Sequence, residues 1–312
     1  MPSRPTPSRQ PAGRARAWFE LLRPANVATS LADVLAGASV AGLALVPGPV
    51  APGLGWLLAA TACLYAGGIV LNDVFDRAID ARERPERPIP SGRIAVRHAA
   101  LAGATLLAAG VAAAAAVGAV AAAVAAAIVL AVLSYDAWGK HHAFLGPVNM
   151  GLCRALNLLL GIALMPAVLA RAWPLGLLPL AYIAAVTMVS RGEVHGARRP
   201  VVVVAIVLLT GVIASLIAIA LTRPIAPGFT SVQIAWAVAL ACGLAWRVLP
   251  AFARAASTTA AIDIRRAVRA GVLSLVLADA VLAAAYAGIM NSLAVLVTGL
   301  LAWWLARLFA VT

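Results

Sequence analysis

Long apolar runs separated by short polar breaks set the pattern of this chain. A helix that crosses roughly 30 Å of hydrocarbon needs about 20 mostly apolar residues. Runs of that kind lie near 26–46, 55–72, 97–117, 119–137, 145–165, 173–190, 200–221, 230–250, 268–289 and 290–310. They are too long and too unalternating for barrel strands, and lipid admits only helices or closed barrels. The pattern predicts an all-α fold: a polytopic membrane helical bundle of about nine or ten transmembrane helices. The alanine-rich tract 111–127 is expected to let helix backbones approach closely.

Composition sharpens the class. Of the 312 residues 63% are apolar and only 11% are charged, against about 25% charged in a soluble domain. That excludes disorder, a secreted disulfide scaffold and a soluble nucleic-acid-binding domain. Twenty-four basic residues against eleven acidic ones give a net charge of +13. The positive-inside rule and anionic lipid head groups account for the excess, so membrane lipids and no nucleic acid are expected as partners. Cys63, Cys153 and Cys242 stand singly in apolar stretches and indicate neither a disulfide framework nor a zinc site. Residues 1–17, rich in arginine and proline, read as a disordered basic cytoplasmic tail, without the short apolar segment of a signal peptide. Residues 18–312 read as a single transmembrane domain. With the N-terminus inside, the breaks at 73–97, 138–144, 191–199 and 251–267 are cytoplasmic, while Arg171 and Arg223 lie on the outer face. The expected location is an inner membrane of bacterial type.

Acidic residues are scarce, so their grouping is informative. Five of the eleven are Asp73, Asp76, Asp80, Glu83 and Glu86. On a helix Asp73, Asp76 and Asp80 share one face, with Asn72 close by. Three carboxylates on one face repel unless a cation sits among them, and hard oxygen ligands suit magnesium completed by substrate phosphates. The alternative is a solvated helix end whose carboxylates are answered by Arg77, Arg82 and Arg84. The arginines that follow, including Arg84, Arg87 and Arg93 on a proline-stiffened loop, match phosphate oxygens bidentately. Together they favour a magnesium–diphosphate site with Asn72, Asp73, Asp76 and Asp80 on the metal.

The run Asn72-Asp73-x-x-Asp76-x-x-x-Asp80, followed by Arg87-Pro88-Ile89-Pro90-Ser91-Gly92, resembles the first aspartate-rich motif of the UbiA family of intramembrane prenyltransferases. Arg23-Pro24-x-Asn26 matches that family's opening, and Tyr135-Asp136-Ala137-Trp138-Gly139-Lys140 resembles its tyrosine-to-lysine segment. The resemblance implies that Mg2+ holds a prenyl diphosphate within a helical bundle open sideways to lipid. It also implies that Lys140, the one lysine of the chain, contacts diphosphate, and that Arg23, Asn26 and Tyr135 bind substrate.

A departure comes where the family has a second aspartate-rich segment. Here the sequence reads Ser190-Arg191-Gly192-Glu193-Val194-His195-Gly196, which looks like the EboC-like branch. The flanking glycines favour an irregular turn that aims both side chains inward. Glu193 is then expected to hold a second magnesium, His195 to act as a base or acceptor contact, and Arg191 to bind substrate. Within the spans, Asn26 and Asp33 share a face, as do Arg154 and Asn157. Buried ionisable groups usually pair, and Asp33 with Arg154 is one possible pair, a structural role that competes with Arg154 as a substrate-binding residue. Asp279 needs a partner, and Asp263, Arg265 and Arg266 read as a solvated helix start.

These readings converge on a Mg2+-dependent enzyme that transfers an isoprenyl group from a prenyl diphosphate to an unknown acceptor, aromatic or otherwise electron-rich. Asp76, Asp80, Glu193 and His195 carry the catalysis. The alternatives are a catalytically altered relative serving lipid or metabolite binding or transport, and a prenyl-diphosphate cyclase or phosphatase.

Overall fold

The computed structural model describes residues 11–43, 52–222 and 231–308. The described residues form helices and no strand. In chain order they are α1 (Pro11–Leu22), α2 (Pro24–Val40), α3 (Pro52–Phe75), α4 (Arg77–Glu83), α5 (Val96–Ala115), α6 (Ala119–Ala137), α7 (Leu145–Ile162), α8 (Pro166–Ala172), α9 (Leu177–Ser190), α10 (Arg199–Thr222), α11 (Ser231–Thr258), α12 (Ala261–Ala287) and α13 (Ile289–Leu308). Counting α8 and α9 as one, nine spans among the described residues are long and apolar enough to cross a membrane. The tenth predicted span is α2, with 17 residues. The ends of the runs predicted at 26–46 and 290–310, the first residue of the run at 230–250 and Arg223 lie outside the described residues.

Helix α2 sits in the middle, against α3, α7, α12 and α13. Glycine lets it get there. A Cβ on Gly37 would collide with the Leu158 carbonyl of α7, and one on Gly161 with the Val34 carbonyl of α2. Helices α3 and α5 meet the same way, where a Cβ on Gly67 would stand 2.9 Å from the Gly103 carbonyl oxygen. Close approaches of these helices therefore occur at glycines, while the 111–127 tract is broken by a turn at Ala116–Gly118.

Two large apolar cores result. One joins α7 to α9, α10, α11 and α12 around Tyr182 and Phe252. The other joins α2, α3, α5, α6 and α7 around Leu57, Leu64 and Leu160. The polar breaks that contain Asp76, Lys140, Glu193 and Thr259 gather at one end, linked by contacts described below.

The expected disordered tail is corrected from Pro11 onward, and residues 1–10 lie outside the described residues. Ala17 and Leu21, one turn apart, are fully buried against Val70, Ile89, Ile94 and Ala99. Glu20 pairs with Arg16 at 3.2 Å and with Arg93 at 2.6 Å. The arginine-rich composition conceals an amphipathic helix, so the boundary expected at residue 17 falls inside α1.

Candidate active site

The site is built at the basic end of α3. The backbone stays nearly helical through the α3–α4 joint, since Asp76 N donates to Asn72 O and Asp80 N to Asp76 O. The side chains do not stay together. Asp73 accepts from Arg23 at 2.7 Å and lies 3.5 Å from Arg87, Asp80 accepts from Arg87 at 2.7 Å, and Asp76 pairs with Lys140 at 2.6 Å. The expected triple carboxylate face is therefore three ion pairs, because each carboxylate finds a cation before it finds another carboxylate. The cations are also not the sequence neighbours Arg77, Arg82 and Arg84. Arg77 donates instead to the Val74 carbonyl at 3.2 Å. Among the described residues no three Asp, Glu, His or Cys side chains converge closely enough to hold a cation.

Two volumes open here. A charged cup of about 390 Å³ is lined by Arg23, Asn72, Asp76, Asp80, Glu83, Arg84, Arg87 and Lys140, among others. A cavity of about 310 Å³ runs inward from it between α3, α6 and α7. Arg23, Asn72, Asp76 and Lys140 line both volumes and form the rim between them. Asn26 and Tyr135 line the inner cavity. Buried Asp73 lines neither. In this arrangement it holds Arg23 and Arg87 in place.

Arg23 carries backbone strain, with φ 46° and ψ 65° in the left-handed region ahead of Pro24. Such strain persists where the surroundings over-determine it. Here α1 packed on one side, proline at the start of α2 on the other and the Asp73 contact do so.

The inner end of the cavity is polar. Arg154 donates to Asp33 Oδ2 at 2.8 Å, to Thr29 Oγ1 at 3.0 Å and to the Tyr65 hydroxyl at 3.1 Å. Asn157 also donates to Asp33 Oδ2 at 2.8 Å, and its own oxygen accepts from Thr61 at 2.6 Å. The Asp33–Arg154 pair anticipated from the sequence is thus present, and Asp279 faces Asp33 from α12.

The Ser190–Gly196 segment forms the expected irregular turn, but its side chains do not reach the cavity. His195 is exposed, Glu193 is half-buried beside Arg265 and Arg84, and neither lines the cup or the cavity. Burial pushes the Glu193 carboxyl above its usual range, with Arg265 and Arg84 pulling it partly back. Exposed Arg191 donates to the Lys140 and His142 carbonyls at 3.1 and 3.4 Å, so it holds the loop that carries Lys140. Arg265 donates to the Glu193 carbonyl at 2.6 Å, while Asp263 is buried and accepts from Thr258. At the start of α12 Arg265 and Arg266 are exposed as expected and Asp263 is not, and Arg265 also anchors this turn.

Asp136, Thr61 and Tyr65 were missed as cavity residues. Asp136 is buried, accepts from the Asn72 amide at 2.7 Å and lines the cavity. The spacing of Thr61, Tyr65, Gly68 and Asn72 along one stripe of α3 was the available signal.

Comparison with known proteins agrees with this architecture. Digeranylgeranylglyceryl phosphate synthase of Methanopyrus kandleri is 44% identical over 96 residues, which is 31% of this chain and 34% of that one. The enzyme of the same name from Methanoregula boonei is 33% identical over 180 residues, 56% of this chain and 60% of that one. The matched stretch thus spans about a third of the first relative's length. In fold, the chain superposes on a solved digeranylgeranylglyceryl phosphate synthase with a TM-score of 0.65 at 19% identity, covering 89% of this chain and 99% of that one. A UbiA homolog from Archaeoglobus fulgidus bound to GPP and Mg2+ gives 0.53 at 17% identity, covering 81% and 99%. The profile of the UbiA prenyltransferase family matches residues 34–261, from mid α2 to the start of α12, and takes in Asn72, Asp76 and Lys140 of the rim but not Arg23. The chain belongs to the UbiA prenyltransferase family.

Proposed function

We propose that this protein is an integral-membrane prenyltransferase that moves an isoprenyl group from a prenyl diphosphate to an electron-rich acceptor with the help of Mg2+. The observation that carries the reading is the shared rim. One set of residues, Arg23, Asn72, Asp76 and Lys140, joins a cation-rich cup to a cavity sunk among apolar helices. A ligand with a strongly anionic head and an apolar tail matches that joint.

The donor set fits magnesium. Asn72, Asp76 and Asp80 present hard oxygens into the cup, and this ion is usually held by one or two carboxylates plus substrate phosphates. When bound, the ion neutralises charge on the departing diphosphate. Arg23, Arg84, Arg87 and Lys140 bind the phosphate oxygens, with arginine forks suited to bidentate contact. The carbon–oxygen bond breaks with its electron pair leaving on diphosphate, the acceptor's electron pair forms the new bond to the prenyl carbon, and the acceptor gives up the proton it carried to solvent. Leu64, Ile69, Ile128, Val132 and Met150 line the cavity beyond the rim. They exclude water from the cationic carbon, so rate is gained through fixed charges in a dry site.

A role for Glu193 in holding a second magnesium, and for His195 as a base, would need the 190–196 turn to reorganise. The EboC-like placement rests on the Ser190–Gly196 string alone. The names of the curated relatives support a lipid-like acceptor, and the bound ligands of the Archaeoglobus homolog support the donor. The basic end is assigned to the cytoplasm, in an inner membrane of bacterial type, by the positive-inside rule.

The test is Mg2+-dependent binding of geranyl, farnesyl and geranylgeranyl diphosphates in lipid nanodiscs, with diphosphate release followed in the same samples, for wild type and Asp76→Asn. Binding or release that needs both Mg2+ and Asp76 is the expected result. Neither binding nor release by the wild type would overturn the reading in favour of a binding or transport role.

A further inference from the structure

The inner end of the cavity is built for something other than hydrocarbon. Thr61, Tyr65, Arg154 and Asn157 line it, and behind them stands a buried polar network. The Arg154 guanidinium is spent on Asp33, Thr29 and Tyr65, and the Asn157 amide on Asp33, Ser30 and Thr61. Arg154, Asn157 and Asp33 are all more than nine-tenths buried. The Tyr65 hydroxyl is where that network ends. Its oxygen accepts from Arg154 at 3.1 Å, and the guanidinium carbon lies 4.9 Å from the ring centre. A phenol both accepts and donates. Its proton has no acceptor among the described residues, and the side chain lines the cavity. Accepting from a cation strengthens the same hydroxyl as a donor, and an unmade hydrogen bond at such a site is costly.

Tyr65 also stands at a defined depth. It precedes Asn72 by seven residues of α3, about 10 Å at 1.5 Å per residue. Gly68 lies between them and lines the passage, where a Cβ would stand 3.1 Å from Val132 Cγ1.

We propose that this inner end is an acceptor subsite, in which the Tyr65 hydroxyl donates a hydrogen bond to an oxygen of the acceptor and Arg154 is the positioning residue that holds it. The ligand class is a molecule with a hydroxyl, ether or carbonyl oxygen about 10 Å below the rim. That excludes an all-hydrocarbon occupant of this end. The word acceptor rests on the prenyltransferase reading, whereas the oxygen-binding subsite stands on the network alone.

The experiment uses the full chain in lipid nanodiscs, labelled with 3-fluorotyrosine at its four tyrosines, with the Tyr65 resonance identified by Tyr65→Phe. Cyclohexanol and cyclohexane, the latter delivered through the bilayer, are the two probes. Cyclohexanol is expected to shift the Tyr65 resonance saturably, with a dissociation constant of about millimolar, and cyclohexane to leave it in place. No shift, or equal shifts with both, overturns the subsite. Tyr65→Phe is expected to keep Mg2+-dependent binding of geranyl thiodiphosphate within about twofold of wild type, a negligible free-energy change. Loss of that binding would assign Tyr65 to the diphosphate site and also overturn the proposal. Failure of the wild type to bind geranyl thiodiphosphate would instead sink the prenyltransferase reading, and the two probes would still decide the subsite.

Discussion

The rim and the inner end of the cavity use the same ion-pair chemistry with opposite consequences. At the rim Asp76 meets Lys140 at 2.6 Å and Asp80 meets Arg87 at 2.7 Å, and all four line an open cup. At the inner end Asp33 meets Arg154 at 2.8 Å, with Thr29, Tyr65 and Asn157 completing the shell. A rim cation can turn to a phosphate because water and neighbouring charges compensate the carboxylate it leaves. The inner cation is more than nine-tenths buried and already engaged by Asp33, Thr29 and Tyr65. Distance alone does not separate a working pair from a fixed one; access to a competing ligand does.

The largest break in this comparison is expected from the inner pair. Arg154→Met leaves Asp33 buried without its counter-charge and should cost about 3–5 kcal/mol of stability, read as a lower Tm in detergent. Adding Asp33→Asn should recover part of that loss. A single variant as stable as wild type would mean the pair is not fixed. Next comes Asp76→Asn at the rim, which should leave Tm near wild type and lower transfer by about 10²–10³-fold, the scale of removing one fixed electrostatic contact. A matching fall in Tm would erase the distinction between rim and interior.

Arg87→Lys should have a smaller effect. Arg87 meets Asp73 and Asp80 through a single nitrogen, and a lysine lacks the rest of the guanidinium fork, which is left to meet phosphate. Losing one hydrogen bond between charged groups, about 1.5–3 kcal/mol, should weaken diphosphate binding about tenfold or more, as measured by Mg2+-dependent titration. The smallest effect is expected at Glu193. Its carboxyl is raised above the ordinary 4.5 by burial. It therefore contributes stability that is fully present below pH 4.5 and is lost as pH rises through its elevated pKa. Glu193→Gln should then melt slightly above wild type at pH 7 and together with it in acid. A lower Tm for the variant at pH 7 would show that the carboxylate is an asset there.

Much of the molecule was legible in one dimension. Spans are legible because lipid forces each helix to be apolar over its own length, independent of its neighbours. The ion pair of Asp33 with Arg154 was legible as one possible pairing, because charges within spans are few and tend to pair. The partners of Asp73, Asp76 and Asp80 were not. Arg23 is fifty residues from Asp73, Lys140 arrives on another loop, and the nearby Arg77 turns back to its own backbone. Helix α1 was misread because arginine content masks the two buried positions, Ala17 and Leu21, that dock it.

The sequence by itself determined the membrane class, the helical spans and the concentration of acids and arginines beside α3, since these follow from local composition and periodicity. Only the tertiary structure decided which cation answers which carboxylate, that Glu193 and His195 stay out of the cavity, and that Tyr65 ends a buried network inside it. Those outcomes depend on where α2, α3, α6 and α7 cross, and glycine contacts such as Gly37 against Leu158 set the crossings through three-dimensional fit.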